Sequence, residues 1–189
     1  MASVFYFRGC FMRNKAKFLT YGAVLAAAYV ALTHLQNVLL PGTASNMIQV
    51  RIAEALCVFA FFTPAAIPGL SLGCLLFNLT SGAALPLDFL VGTAATALAA
   101  TAMWYCRKWP VLGFLMPALF NGLLVGWELS VYVGGGFWVN ALCVAAGEVL
   151  ALLLGVPLYF ALKKARIKYQ KEHRPSCWEG RFCCANELL

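Results

Sequence analysis

Charge is what this sequence has least of. Lys and Arg number 14 and Asp and Glu 7, only 11% of 189 residues, while 62% are hydrophobic. A soluble domain carries roughly 25% charge, so a water-facing globule is excluded. Between Phe18 and Leu162 the acids and bases, leaving aside His, Tyr and Cys, reduce to Arg51, Glu54, Asp88, Arg107, Lys108, Glu128 and Glu148. Histidine is scarcer still. His34 and His173 are isolated and form no H-E-x-x-H metal pair. There is no GxxxxGK[ST] phosphate loop, so the chain cannot hydrolyse ATP itself, and no G-x-S-x-G nucleophile turn. These absences argue against an enzyme, and no catalytic residue, metal or cofactor is expected. No base-reading motif is present, so nucleic acid is not an expected partner.

Long apolar runs are what remains. The composition predicts an all-α membrane protein with six spans, at about 20 residues each. The expected spans are 18–40, 49–62, 66–79, 87–105, 111–133 and 137–162. A basic leader, 1–17, precedes them, with aromatics before its charges, which is the reverse of a cleavable signal. A basic tail, 163–189, follows them and suits anionic headgroups of the lipid bilayer. Spans two and three are short for a hydrocarbon core and are expected either to be tilted little or to be locally irregular and protected by protein. Of the eight cysteines, those within spans read as small packing residues; those of the tail, near His173, match no standard metal spacing.

Six spans put both termini on one side. That side carries thirteen of the fourteen bases, and only Arg51 lies near the other, so the termini are expected in the cytoplasm. Depth follows from this orientation. Arg51, Glu54, Asn78, Glu128, Asn140 and Glu148 fall in the outer half and Asn121 near the middle. The expectation is a pocket open to the outside, not a path of charges across the membrane.

The stretch Asn121–Glu148 holds most of this polarity. Asn121, Val125, Glu128 and Tyr132 stand at i, i+4, i+7 and i+11, one face of a helix. After Gly134-Gly135-Gly136 the pattern returns with Phe137, Val144 and Glu148, and Asn140 lies to its side. Two helices facing each other across a glycine turn are predicted. Ionisable groups at this depth are costly and are functional candidates. Arg51 and Glu54, three residues apart, can also simply pair with each other. In span one Ala23, Ala27 and Ala31 make a stripe of small residues, which suits close approach of a helix of this bundle or of a partner. Carboxylates, amides and aromatic planes together suit a flat heterocycle with paired N–H donors beside a carbonyl, such as a guanine edge.

The runs QVRIAEAL (49–56), IPGLSLGCLLFN (67–78), NGLLVGWELS (121–130) and FWVNALCVAAGE (137–148) resemble the QueT family. These are the queuosine-precursor S components of energy-coupling-factor (ECF) transporters, and the similarity covers about 17–162. The resemblance implies an ECF S-component-like bundle in a bacterial plasma membrane that captures a 7-deazaguanine: the 7-cyano form, the 7-aminomethyl form or queuine. It implies delivery inward by toppling, with the coupling subunit EcfT and two cytoplasmic ECF ATPases as partners. Ala23, Ala27 and Ala31 would then meet EcfT. Glu148 or Glu128 would accept ring and exocyclic N–H groups, and the other could meet an alkylammonium at the 7-position. Asn140 and Asn121 would take the carbonyl and pyrrole positions. Trp138 or Tyr132 would stack on the ring, and Gln49 or Asn78 would close a rim near Arg51 and Glu54. The other readings are an S component for another vitamin or nucleobase, a secondary transporter of a small heterocycle, and a ligand-free structural bundle.

Overall fold

The computed structural model describes residues 2–41, 50–81 and 87–172, with side chains for 15–41, 50–81 and 87–168. Gln49 and the tail cysteines Cys177, Cys183 and Cys184 lie outside the described residues. Helices account for all the regular structure among them, with no strand.

Helix α1 runs from Ala2 to Leu39, so leader and first apolar run are one rod of about 57 Å at the helical rise. It ends just before Pro41, which disfavours helical geometry in the preceding residue. A 3-10 helix, η1, then covers Ile52–Phe61. Helix α2 is Ala66–Thr80, with Pro68 in its first turn, where the missing N–H has no intrahelical partner to lose. Helix α3 is Asp88–Tyr105, and a short 3-10 turn, Cys106–Lys108, leads to α4, Pro110–Tyr132, and α5, Phe137–Glu172. Pro110 opens α4 at a position where proline is tolerated.

Among the described residues four helices are long and apolar enough to cross a membrane: Lys15–Leu39, Asp88–Lys108, Pro110–Tyr132 and Phe137–Lys168. The two shorter apolar helices, Ile52–Phe61 and Ala66–Thr80, lie at the stretches expected as short spans two and three, and the first takes a 3-10 form. Ten residues of 3-10 helix rise about 20 Å, and fifteen of α-helix about 22 Å. Both fall short of a hydrocarbon core of about 30 Å.

Burial explains how so irregular a segment is tolerated. Successive helices α1 to α5 pack on their neighbours, and η1 touches all five. Its Ala53, Cys57, Val58 and Ala60 are fully buried. The arc of α-helices curls around η1, which is screened from lipid by protein. Gln36 of α1 holds its start in place, accepting from the Ile52 N–H at 2.8 Å and donating to the Val50 carbonyl.

Two glycine contacts set the helix spacing. A Cβ at Gly69 of α2 would sit 2.6 Å from the Gly22 carbonyl oxygen of α1, and one at Gly126 of α4 would sit 2.6 Å from Ala141 Cα of α5. Backbones this close need a residue without a side chain. On the α1 side facing away from α2, Ala23, Ala27 and Ala31 are exposed together with Leu19 and Leu35. The alanine stripe therefore takes no part in packing of this bundle, whereas Gly22 and Ala26 beside it do.

Candidate functional site

The buried polar residues gather toward one end of the bundle, and every long element contributes. They are Thr33 and Gln36 on α1, Arg51 and Glu54 at η1, Asn78 on α2, Asp88 and Thr96 on α3, Asn121 and Glu128 on α4, and Asn140 and Glu148 on α5. Tyr29 of α1, fully buried, joins them. Desolvating so many polar groups is costly unless each finds a partner, inside the protein or in a ligand.

The hairpin of α4 and α5 builds one wall. Gly134 and Gly135 turn the chain with φ of 83° and 87°, a region that side-chain-bearing residues avoid. Asn140 Nδ2 donates to the Gly134 carbonyl at 3.0 Å and so ties the start of α5 to the turn. Further in, Asn121 Nδ2 donates to Glu148 Oε1 at 2.8 Å. Asn121 is eleven residues before the end of α4 and Glu148 eleven after the start of α5, which puts them level across the hairpin. The second oxygen of Glu148 has no hydrogen-bond partner.

η1 supplies the facing groups. Glu54 accepts from Tyr29 Oη at 2.5 Å and from Cys57 Sγ at 3.0 Å. Its hydrogen bonds thus come from α1 and from its own helix, while Arg51 points Nη1 toward Cys74 Sγ at 4.0 Å. Glu54 and Arg51 lie within electrostatic reach of Glu148. Arg51 also lies within reach of Asp88, and its Nε is buried without a partner.

The end of α2 and the start of α3 complete the cluster. Asn78 Nδ2 donates to the Asp88 carbonyl at 2.7 Å, leaving Asn78 Oδ1 buried and unmatched. Gly92 keeps α3 close: a Cβ there would be 3.0 Å from Asn78 Nδ2 and 3.7 Å from Arg51 Nη1. Glu128 lies against Asp88 and is 0% exposed, yet neither of its oxygens has a hydrogen-bond partner.

At the opposite end polarity gives way to rings. Phe61 of η1 packs on Phe114 of α4 and Tyr159 of α5 at 5.2 and 5.3 Å between centroids, and Phe62 meets Tyr159 at 5.6 Å. These rings join the apolar core that includes Leu70 and Met103. The site has a polar end and an aromatic floor.

Of the residues nominated from sequence, Arg51, Glu54, Asn78, Asn121, Glu128, Asn140 and Glu148 are all buried in this cluster. The aromatic candidates are placed otherwise. Tyr132 is 43% and Trp138 70% exposed, and the Trp138 ring rests on Phe137 at 4.9 Å. Both stand at the hairpin tip, not within the cluster. Sequence reasoning did not nominate Tyr29, Cys57, Cys74, Asp88 or Thr96. Tyr29, Thr33 and Gln36 carried a usable signal, since their i, i+4, i+7 spacing is that of Asn121, Val125 and Glu128. Asp88, at the start of the expected span 87–105, is buried in the first turn of α3.

Chemically, the arrangement accepts hydrogen bonds. It offers several unmatched carboxylate oxygens, an amide oxygen and one guanidinium. Among the described residues no group of His, Cys, Asp and Glu could hold a metal ion. Neither curated proteins nor solved structures give a match to the chain. One family model does: that of the QueT transporter matches residues 19–164, which takes in the hairpin, η1 and every buried polar residue above. Several apolar helices and a site suited to a small solute agree with a transporter and not an enzyme, and the chain is a multi-pass membrane protein belonging to the QueT transporter family.

Proposed function

We propose that this chain is the substrate-capture S component of an ATP-driven ECF importer in a bacterial plasma membrane, taking up a queuosine precursor of the 7-deazaguanine class. The observation that carries this is the sealed polar cluster of a QueT-family chain, in which Glu148 keeps an unmatched oxygen level with Asn121 and facing η1. A guanine-like edge presents adjacent N–H donors beside a carbonyl. The free oxygen of Glu148 takes the donors, and the Asn121 amide beside it fixes the orientation. Tyr132 and Trp138, near the opening, cover the ring as it enters.

In this reading both short helices are spanning segments, giving six, with both termini in the cytoplasm and the polar end outward. The aromatic floor closes the path inward. Transport then requires the loaded protein to topple, driven by the coupling subunit EcfT and two ATPases. The exposed stripe Ala23, Ala27 and Ala31 is where EcfT docks. Its exposure supports a partner over internal packing.

The test is direct binding to the purified chain. The 7-cyano and 7-aminomethyl forms of 7-deazaguanine and queuine are compared with guanine and a flavin by calorimetry. At least one deazaguanine should bind far more tightly than the controls, and Glu148→Gln should weaken it by more than tenfold, because buried donors lose their match. Binding that survives Glu148→Gln unchanged would remove that carboxylate from the site.

A further inference from the structure

A donor and an acceptor stand unmatched on neighbouring side chains at the polar end of the bundle. Arg51, 6% exposed, is the one buried base among the described residues, and its Nε has no hydrogen-bond partner. Asn78, 5% exposed, donates Nδ2 to the Asp88 carbonyl at 2.7 Å, which fixes the way its amide faces and leaves Oδ1 buried without a donor. The two side chains meet at one sulfur: Cys74 Sγ lies 4.0 Å from Arg51 Nη1 and 3.6 Å from Asn78 Nδ2. Gly92 of α3 borders both, since a Cβ there would sit 3.0 Å from Asn78 Nδ2 and 3.7 Å from Arg51 Nη1. A thiol is a weak partner for either group, and an unmatched buried donor or acceptor is costly to keep.

Position separates this pair from Asn121 and Glu148. Asn78 is two residues before the end of α2 and Arg51 directly precedes η1, whereas Asn121 and Glu148 each lie eleven residues from the hairpin turn. A ligand with its ring edge at Asn121 and Glu148 therefore brings its substituent to Arg51 and Asn78. The chemistry of the pair selects that substituent. A nitrile only accepts, which leaves Asn78 Oδ1 unmatched. An ammonium only donates, which leaves Arg51 Nε unmatched and sets one cation beside another. A hydroxyl both donates and accepts, and a vicinal diol offers one oxygen to each side chain.

We infer that Arg51 and Asn78 form a hydroxyl-reading subsite, so that the protein prefers a deazaguanine whose arm ends in a diol, as the cyclopentenediol arm of queuine does. This rests on the deazaguanine reading above and adds to it the hydroxyls of the arm.

The experiment titrates purified full-length protein with queuine, with 7-aminomethyl-7-deazaguanine and with 7-(cyclopentylaminomethyl)-7-deazaguanine, which keeps the amine and a five-membered arm but lacks both hydroxyls. Queuine should bind at least about tenfold more tightly than either, because an analogue without the hydroxyls leaves the buried pair unmatched. Arg51→Gln and, separately, Asn78→Leu should remove most of that preference by weakening queuine while changing the cyclopentyl compound much less. Equal affinities of queuine and the cyclopentyl compound in the unsubstituted protein, a preference that survives both substitutions, or equal losses of both compounds in the variants would overturn the subsite while leaving the deazaguanine reading standing. Binding of none of the three would overturn both. Where a variant fails to fold, the comparison of queuine with the cyclopentyl compound in the unsubstituted protein decides alone.

Discussion

Three glutamates of one cluster have different surroundings, and the difference separates scaffold from site. Glu54 accepts from Tyr29 and Cys57 and is the best satisfied. Glu148 is half satisfied by Asn121, and Glu128 has no donor at all. Glu54 therefore holds α1 to η1, while the other two keep oxygens without a hydrogen-bond partner. Tyr29→Phe should show the structural share, because it strips a donor from a buried carboxyl without opening a cavity. We expect a loss of about 1–2 kcal/mol, seen as a lower melting temperature in detergent, with ligand affinity changed much less. A large affinity loss with an unchanged melting temperature would instead make Tyr29 part of the ligand site.

Among the elements, the α4–α5 hairpin depends on one contact more than on its turn. Gly126 lets Ala141 approach so closely that any side chain must push the helices apart. Gly126→Leu should cost about 3 kcal/mol or more by overpacking and move Glu148 out of register with Asn121. The check is a melting curve with a binding titration, both of which should fall. This hairpin was legible in sequence because its polar residues stand out at helical spacing against an apolar background. Its glycine turn was legible for the same reason: three successive glycines interrupt that spacing. η1 was not legible in this way. Its sequence, IAEALCVFAF, suits an α-helix by composition, and its 3-10 form accompanies contact with five helices that no local pattern records. The placement of Asp88 was hidden similarly, since adjacency to Glu128 comes from α3 packing on α4.

At the scale of the molecule, one face of α1 is left out of the internal packing. The outer stripe of α1 is apolar, small and uninvolved in internal packing, whereas its neighbours Gly22 and Ala26 pack on α2. On the proposed ECF reading, Ala27→Trp should leave melting temperature and ligand affinity unchanged while abolishing co-purification with EcfT and uptake by the assembled transporter. Retained co-purification would move the partner surface elsewhere. The rings of Phe61, Phe62, Phe114 and Tyr159 have a consequence of another kind. A chain with carboxyls at one end invites proton leakage, and a file of water through it would dissipate the energy of the cell that owns it. Stacked apolar rings at the other end oppose such a file. Liposomes carrying the protein alone should hold an imposed pH gradient as long as empty ones do, followed by an entrapped pH-sensitive dye, so that possession of the transporter costs the cell nothing while it stands idle.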